Sequence, residues 1–162
     1  MSTESKSLSE YDFDAVPSAE GMSFGIVVSE YNREITFRMM DACVETLSKH
    51  GAKEEDVSVV YVPGAFELPF GVLALNEAIA PDALICLGCV IKGETDHDIY
   101  ISHAIAQGVI RLTLDLQKPV IFGVLTPNNI HQAKDRAGGI RGNKGIESAV
   151  AAIKMVALKK KL

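Results

Sequence analysis

Apolar residues along the chain form short continuous runs that alternate with stretches of helical spacing. Four runs rich in β-branched residues predict strands at 24–29, 57–62, 83–91 and 119–126. Between and after these runs, apolar residues recur every three or four positions, which predicts helices at about 35–50, 66–79, 97–115, 129–136 and 143–159. We expect Gly51 to end the first helix and Asn129 to cap the fourth.

This alternation predicts an α/β fold. Because the strands are almost continuously apolar and are separated by helices, we expect a four-stranded parallel sheet covered on both faces. Right-handed crossovers then give a three-layer α/β/α sandwich of the flavodoxin-like type. Ligands in such folds bind beyond the carboxyl ends of the strands, which directs attention to the loops at 29–35, 63–67, 91–97 and 126–130.

The first 22 residues differ from the rest of the chain. They show no regular period and hold five acidic residues against one lysine, so we predict a flexible acidic tail (1–22) before a single domain (23–162). The formal net charge of −5 argues against a nucleic-acid partner, which requires a basic surface. Because no secretory signal or membrane-spanning apolar run is recognisable, we expect a cytoplasmic protein that does not bind membranes.

Three cysteines bear on possible redox or metal chemistry. Cys86 and Cys89 have the C-x-x-C spacing of thiol oxidoreductases, but they lie in a predicted buried strand and not at a helix start, where thiol pKa values are lowered. We therefore interpret them as core residues. The histidines lack metal-ligand spacing, so we expect no metal, and the glycine-rich motifs of nucleotide binders are missing from the sequence.

The loop after the third strand combines groups suited to anion binding and proton transfer. Gly93 allows close backbone approach, Thr95 offers a hydroxyl, and the next helix begins with free N–H groups. His97 beside them is suited to proton transfer near neutral pH. A capping loop that carries a surface histidine is the alternative interpretation.

Three other positions leave two interpretations open. Glu67 could bind hydroxyl groups or could simply favour the start of a helix, and Tyr31 could stack on a flat ring or pack against a neighbouring segment. The segment 136–145 contains four glycines and three cations. It could close on an anionic ligand, with Arg136 giving bidentate phosphate contacts, or it could be a solvated turn between helices.

Four motifs in this order and spacing point to one family. They are Val62-Pro-Gly-Ala-Phe-Glu67, Gly93-x-Thr95-x-His97-x-x-Tyr100, Phe122-Gly-Val-Leu-Thr126, and Arg136-Ala-Gly with Gly142-Asn-Lys-Gly145. From about Phe24 to Leu158 the chain resembles the 6,7-dimethyl-8-ribityllumazine synthases of riboflavin biosynthesis. The resemblance implies a cofactor-independent transferase that condenses 5-amino-6-(D-ribitylamino)uracil with 3,4-dihydroxy-2-butanone 4-phosphate and releases phosphate and water.

The resemblance also implies roles for individual residues. His97 would transfer protons, Arg136 would be the catalytic charge partner of the phosphate, and the phosphate substrate would also contact Gly93, Glu94 and Thr95. The residues implied to bind the pyrimidine and its ribityl chain are Tyr31, Ala65, Phe66, Glu67, Cys89, Val90, Ile91, Phe122 and Lys144. Members of the family form pentamers with sites between subunits, entered by the aromatic at the position of Phe122, and some close into a 60-subunit icosahedral shell. The turn 138–142 has no added residues of the kind that block shell closure in pentameric members, so the resemblance does not exclude the 60-subunit shell for this chain.

Two positions depart from the family pattern. Asp98 replaces a common aromatic and could orient His97, although we expect it to face solvent in the first helical turn. Ala104 stands where many members carry Glu, so no catalytic role passes to it.

Three other functions are alternatives to this one. A flavin electron carrier would need a hydroxyl-rich loop after the first strand, whereas residues 30–33 are Glu-Tyr-Asn-Arg. A receiver-type signalling module would need an acidic pair near the first strand and an acceptor Asp at the end of a central strand. An inactive shell-forming or flavin-binding relative is the alternative that the sequence separates least well.

Overall fold

The computed structural model describes residues 7–162 of the chain. Its strands are β1 (Phe24–Ser29), β2 (Val57–Val62), β3 (Ala83–Cys89), β4 (Val120–Leu125), β5 (Ala137–Gly139) and β6 (Gly142–Asn143). Its α-helices are α1 (Arg33–Lys49), α2 (Leu68–Ile79), α3 (His97–Leu116), α4 (Ile130–Asp135) and α5 (Lys144–Lys161). Short 3-10 turns lie at Phe13–Ala15, Glu54–Asp56 and Ala65–Glu67.

The first four strands form the predicted parallel sheet. The strand order is β2-β1-β3-β4, and every neighbouring pair is parallel. Ser29 pairs with Val62, and Cys89 pairs with Leu125, so the carboxyl ends of the four strands lie at one edge. The loops that carry the candidate chemistry leave the sheet at this edge.

Helices cover both faces of the sheet, which confirms the three-layer arrangement. α1 and α5 pack on one face, and α2 and α3 pack on the other. Alternate residues of the central strand β1 enter the two cores, with Ile26 and Val28 on the α1/α5 side and Val27 on the α2/α3 side. Burial on both faces explains why the central strands β1 and β3 are nearly continuous apolar runs instead of alternating ones.

The two cysteines of the C-x-x-C are core residues, as predicted. Both lie in β3 and are buried, and burial raises the pKa of each thiol to about 12. A thiol with such a pKa stays protonated at neutral pH and is a poor nucleophile. Within residues 7–162, no three His, Cys, Asp or Glu residues are grouped to hold a metal, and no helix is both long and apolar enough to cross a membrane.

Two differences from the predicted elements affect the region of the candidate site. β3 ends at Cys89, so residues 90 and 91 belong to the loop. The segment 136–145, predicted as a turn between helices, contains the small antiparallel hairpin β5/β6. Gly138 and Gly142 reverse the chain there with φ values of 105° and 86°, which side chains with a Cβ adopt only under strain.

The segment 7–22 contacts the rest of the chain, whereas we predicted that residues 1–22 form a flexible tail; residues 1–6 lie outside the described residues. Val16, Ala19 and Met22 are buried in the α1/α5 core. The Ala19 N–H donates to the carbonyl oxygen of His50 at 2.8 Å. These apolar residues are three positions apart over only seven residues, too few to establish a period, so a search for periodicity could not find them.

His50 connects this segment to the end of α1. The Phe13 ring stacks on the imidazole with centroids 4.2 Å apart, and the Tyr11 hydroxyl lies 3.1 Å from its Nε2. Desolvation in this position lowers the pKa of His50 below its ordinary value of 6.5. Folding therefore favours the neutral imidazole.

We expect the free energy of unfolding to decrease as the pH falls below about 6.5, because the unfolded chain takes up the His50 proton first. The loss should be complete once the pH has passed below the lowered pKa of the folded protein. Urea titrations between about pH 5 and pH 8 would measure it, and His50→Gln, which does not titrate, should have a flatter profile in this range. Identical profiles for the two proteins would contradict the prediction.

Candidate active site

An open cleft of about 990 Å³ lies at the carboxyl edge of the sheet. The loops after β1, β2 and β3 and the first turns of α3 form its walls. The lining residues are Tyr31, Asn32, Gly64, Ala65, Phe66, Glu67, Cys89, Val90, Ile91, Lys92, Gly93, Thr95, His97, Asp98, Tyr100, Ile101 and Ala104. A volume of this size accommodates ligands well beyond a single small ion.

The loop after β1 presents an aromatic ring to the cleft. Asn32 takes the left-handed conformation, with a φ of 58°, and its Nδ2 donates to the Cys89 carbonyl oxygen at 2.9 Å. This bond ties the first loop to the end of β3. Tyr31, immediately before it, is 73% exposed, so one ring face is available for a flat ligand.

The loop after β2 supplies a second aromatic and a carboxylate. Ala65 is buried, whereas Phe66 and Glu67 are exposed along the cleft. Gly64 leaves room for the acid, because a Cβ at this position would lie 2.9 Å from Glu67 Oε2. The carboxylate can accept hydrogen bonds from ligand hydroxyl groups.

The loop after β3 leads to a helix N-terminus that is suited to an anion. The Lys92 N–H donates to the Pro127 carbonyl oxygen at 3.0 Å, which fixes the loop where it leaves the sheet. Asp96 occupies the N-cap of α3 but its side chain makes no capping hydrogen bond. The first N–H groups of α3, together with Gly93 and Thr95, are therefore available to an anionic group.

His97 and Asp98 are the first two residues of α3 and both line the cleft. The His97 side chain is exposed, so a ligand in the cleft can reach the imidazole. Asp98 is half-buried, and within the described chain its Oδ1 is buried without a hydrogen-bond partner. This differs from the expectation that Asp98 faces solvent, because its side chain lies along the cleft wall.

Four of the predicted site residues do not line the cleft of their own chain: Glu94, Phe122, Arg136 and Lys144. The last two instead surround Glu147. Arg136 Nη1 lies 2.7 Å from Glu147 Oε1, and Lys144 Nζ lies 3.1 Å from Oε2. Burial acts to raise the pKa of Glu147, but hydrogen bonds from the two cations outweigh it, and the pKa lies below its ordinary value.

The remaining predicted residues come together, and the cleft adds others that sequence reasoning missed. The additions include Asn32 and Ile101. Asparagine's tolerance of the left-handed conformation was the one available signal for Asn32. Ile101 carries no polar chemistry that a motif search could recognise.

Comparison with known proteins shows that this chain is similar to the members of one family. The model of the 6,7-dimethyl-8-ribityllumazine synthase family matches residues 21–160. Proteins named 6,7-dimethyl-8-ribityllumazine synthase are similar over nearly the whole chain. The one from Phocaeicola vulgatus is 48% identical over 100% of this chain and 96% of its own, and the one from Parabacteroides distasonis is 49% identical over 96% and 98%. The Bacteroides fragilis protein is 53% identical over 83% of this chain and 94% of its own.

Proposed function

The chain belongs to the 6,7-dimethyl-8-ribityllumazine synthase family, and we propose that it condenses 5-amino-6-(D-ribitylamino)uracil with 3,4-dihydroxy-2-butanone 4-phosphate. The products are 6,7-dimethyl-8-ribityllumazine, phosphate and water. The observation that carries this proposal is a single cleft lined by four kinds of group. They are an exposed aromatic ring, a carboxylate, a histidine and a free helix N-terminus.

The chemistry divides between the two halves of the cleft. We assign the pyrimidine and its ribityl chain to Tyr31, Phe66 and Glu67 with the backbone of residues 89–91. The phosphate substrate then lies at Gly93, Thr95 and the first turn of α3, where N–H groups favour an anion. This placement puts the ketone between the amine and His97.

His97 can serve the proton transfers of the reaction in turn. Attack of the amine on the ketone gives a carbinolamine, whose oxygen must be protonated before water leaves and the imine forms. A proton must then leave carbon as phosphate departs, and ring closure loses a second water. An exposed histidine in the cleft can donate and accept these protons. Holding the two substrates together supplies further acceleration by removing the entropic cost of their encounter.

A direct assay tests the proposed function. Purified protein mixed with the two substrates should develop lumazine absorbance and release one phosphate for each lumazine formed. Each substrate alone is the control and should give neither signal. Absence of both signals in a correctly assembled sample would contradict the proposed reaction and would favour an inactive relative.

We also propose that the protein forms a homo-oligomer with sites between subunits, a pentamer that can close further into an icosahedral shell. Its support is an apolar surface on α2 and α3, where Phe70 is 73%, Ile110 57% and Leu114 67% exposed. Such side chains in a monomer would present an unusually large apolar area to water. In a ring, they would be covered by the next copy.

The same proposal accounts for the residues that lie outside the cleft. Phe122 is 36% exposed on β4, and Arg136 and Lys144 lie around Glu147. We assign all three to the cleft of a neighbouring subunit, where Arg136 would pair with the phosphate. We further propose a cytoplasmic location, because the free thiols at Cys43, Cys86 and Cys89 are typical of a reducing compartment.

A further inference from the structure

The segment Ser7–Ser9 lies across the turn between β5 and β6. The Leu8 N–H donates to the Arg141 carbonyl oxygen at 3.1 Å, and the Asn143 N–H donates to Ser9 Oγ at 3.0 Å. The segment also closes over Gly142, since a Cβ there would lie 2.7 Å from Ser7 Oγ and 2.8 Å from the Ser9 nitrogen. The contact is therefore close enough to require a glycine in the turn.

The turn in contact with this segment also holds Arg136. Arg136 Nη1 donates to the Arg141 carbonyl oxygen at 2.9 Å, so that oxygen accepts from both Leu8 and the guanidinium. The Lys144 N–H donates to the Arg136 carbonyl oxygen at 2.8 Å. The Asn143 side chain accepts from the Gly145 N–H at 2.8 Å at the start of α5. Hydrogen bonds thus join both Leu8 and Ser9 to the turn whose two ends carry Arg136 and Lys144.

We propose that Ser9 is a positioning residue for Arg136 and, through it, for the phosphate-bearing substrate; this inference rests on the proposed function. Without the Ser9 hydroxyl, the buried Asn143 N–H has no acceptor and the turn loses one of its two ties to the segment. Gly138, Gly139 and Gly142 then allow the turn many conformations. Binding of the phosphate would then have to order the turn again. This conformational free-energy cost would weaken the binding of the phosphate-bearing substrate and not that of the pyrimidine.

The test compares Ser9→Ala with the wild type in the full-length protein. We expect KM for 3,4-dihydroxy-2-butanone 4-phosphate to rise about 3- to 10-fold, the loss typical of one hydrogen bond. KM for the pyrimidine and kcat should each stay within about twofold, because a positioning effect on the phosphate does not reach the other half of the cleft. Ser9→Thr keeps the hydroxyl and should restore most of the lost affinity.

Ser18→Ala is the matched control. It removes a hydroxyl from the same segment, but Ser18 Oγ accepts from the Glu20 N–H and contacts the His50 carbonyl oxygen, away from the turn. Its kinetics should equal those of the wild type. An unchanged KM for the phosphate substrate in Ser9→Ala would overturn the positioning role. An equal loss of affinity for both substrates, seen in Ser18→Ala as well, would also overturn it.

Titration with inorganic phosphate separates this inference from the proposed function. Phosphate affinity should fall in Ser9→Ala and not in Ser18→Ala, and this measurement needs no turnover. If the wild type forms no lumazine, the proposed function fails, and the phosphate titration alone decides the role of Ser9. Equal phosphate affinities in the wild type and Ser9→Ala, or no phosphate binding by the wild type, would overturn the inference.

Discussion

Replacement of His97 by alanine is expected to lower kcat by about 100-fold, the lower end of what general acid–base catalysis contributes. The effect should not be larger, because the attacking amine of the substrate is already nucleophilic and because the cleft still holds both substrates together. Affinity for each substrate should change little, since His97 is exposed at the cleft and makes no contact on which the fold depends. Steady-state kinetics together with calorimetric titration of the pyrimidine would separate the two quantities.

His103→Ala is the appropriate control for that experiment. His103 is exposed on the same helix and does not line the cleft, so its removal should leave kcat unchanged. Unaltered turnover in His97→Ala would remove the proton-transfer role.

The sheet could be predicted from the sequence because its central strands β1 and β3 are buried on both faces. The apolar run at Phe24–Ser29 has the same limits in the structure, and the pairing rule then places four loops at one edge. Most of the cleft follows from that geometry, since Tyr31, Glu67 and His97 each lie between the end of a strand and the first turn of the next helix. In the sheet, the local sequence pattern and the overall fold agree, which is why the pattern predicts the fold.

The features that escaped prediction depend on contacts between distant parts of the chain. Ser9 and Asn143 are 134 positions apart, and nothing in the sequence near either residue indicates the other. The position of Arg136 escaped prediction for a similar reason. The sequence shows a cation in a glycine-rich stretch, but it does not show that Glu147 holds this cation outside the cleft of its own chain. Periodicity detects burial on a regular element, and these contacts lie on irregular backbone.

The position of Arg136 leads to a test of shared sites. If Arg136 serves a neighbour's cleft, then Arg136→Ala and His97→Ala chains carry complementary defects. Each variant alone should have low activity at a sub-saturating concentration of the phosphate substrate. The arginine variant lacks the charge partner of the phosphate, which should lower kcat/KM for that substrate by about 10- to 100-fold. Co-expression of the two with different affinity tags would give mixed rings for assay.

In an equal mixture, a site is intact when an Arg136→Ala chain supplies the cleft and a His97→Ala chain supplies the arginine. Random assembly around a ring makes about a quarter of the sites intact, so activity should rise to about a quarter of the wild-type value, far above either parent. If both residues served the cleft of their own chain, no site would be intact and mixing would restore nothing.

A second mixture distinguishes recovery by complementation from a general effect of co-assembly. Phe122→Ala and Arg136→Ala both alter the surface that we assign to a neighbour's cleft, so every site in their mixed rings lacks one of the two side chains. This pair should therefore recover no activity, although the same rings form. Recovery in this pair would require Phe122 and Arg136 to serve different sites, because two defects on one donating surface cannot complement each other.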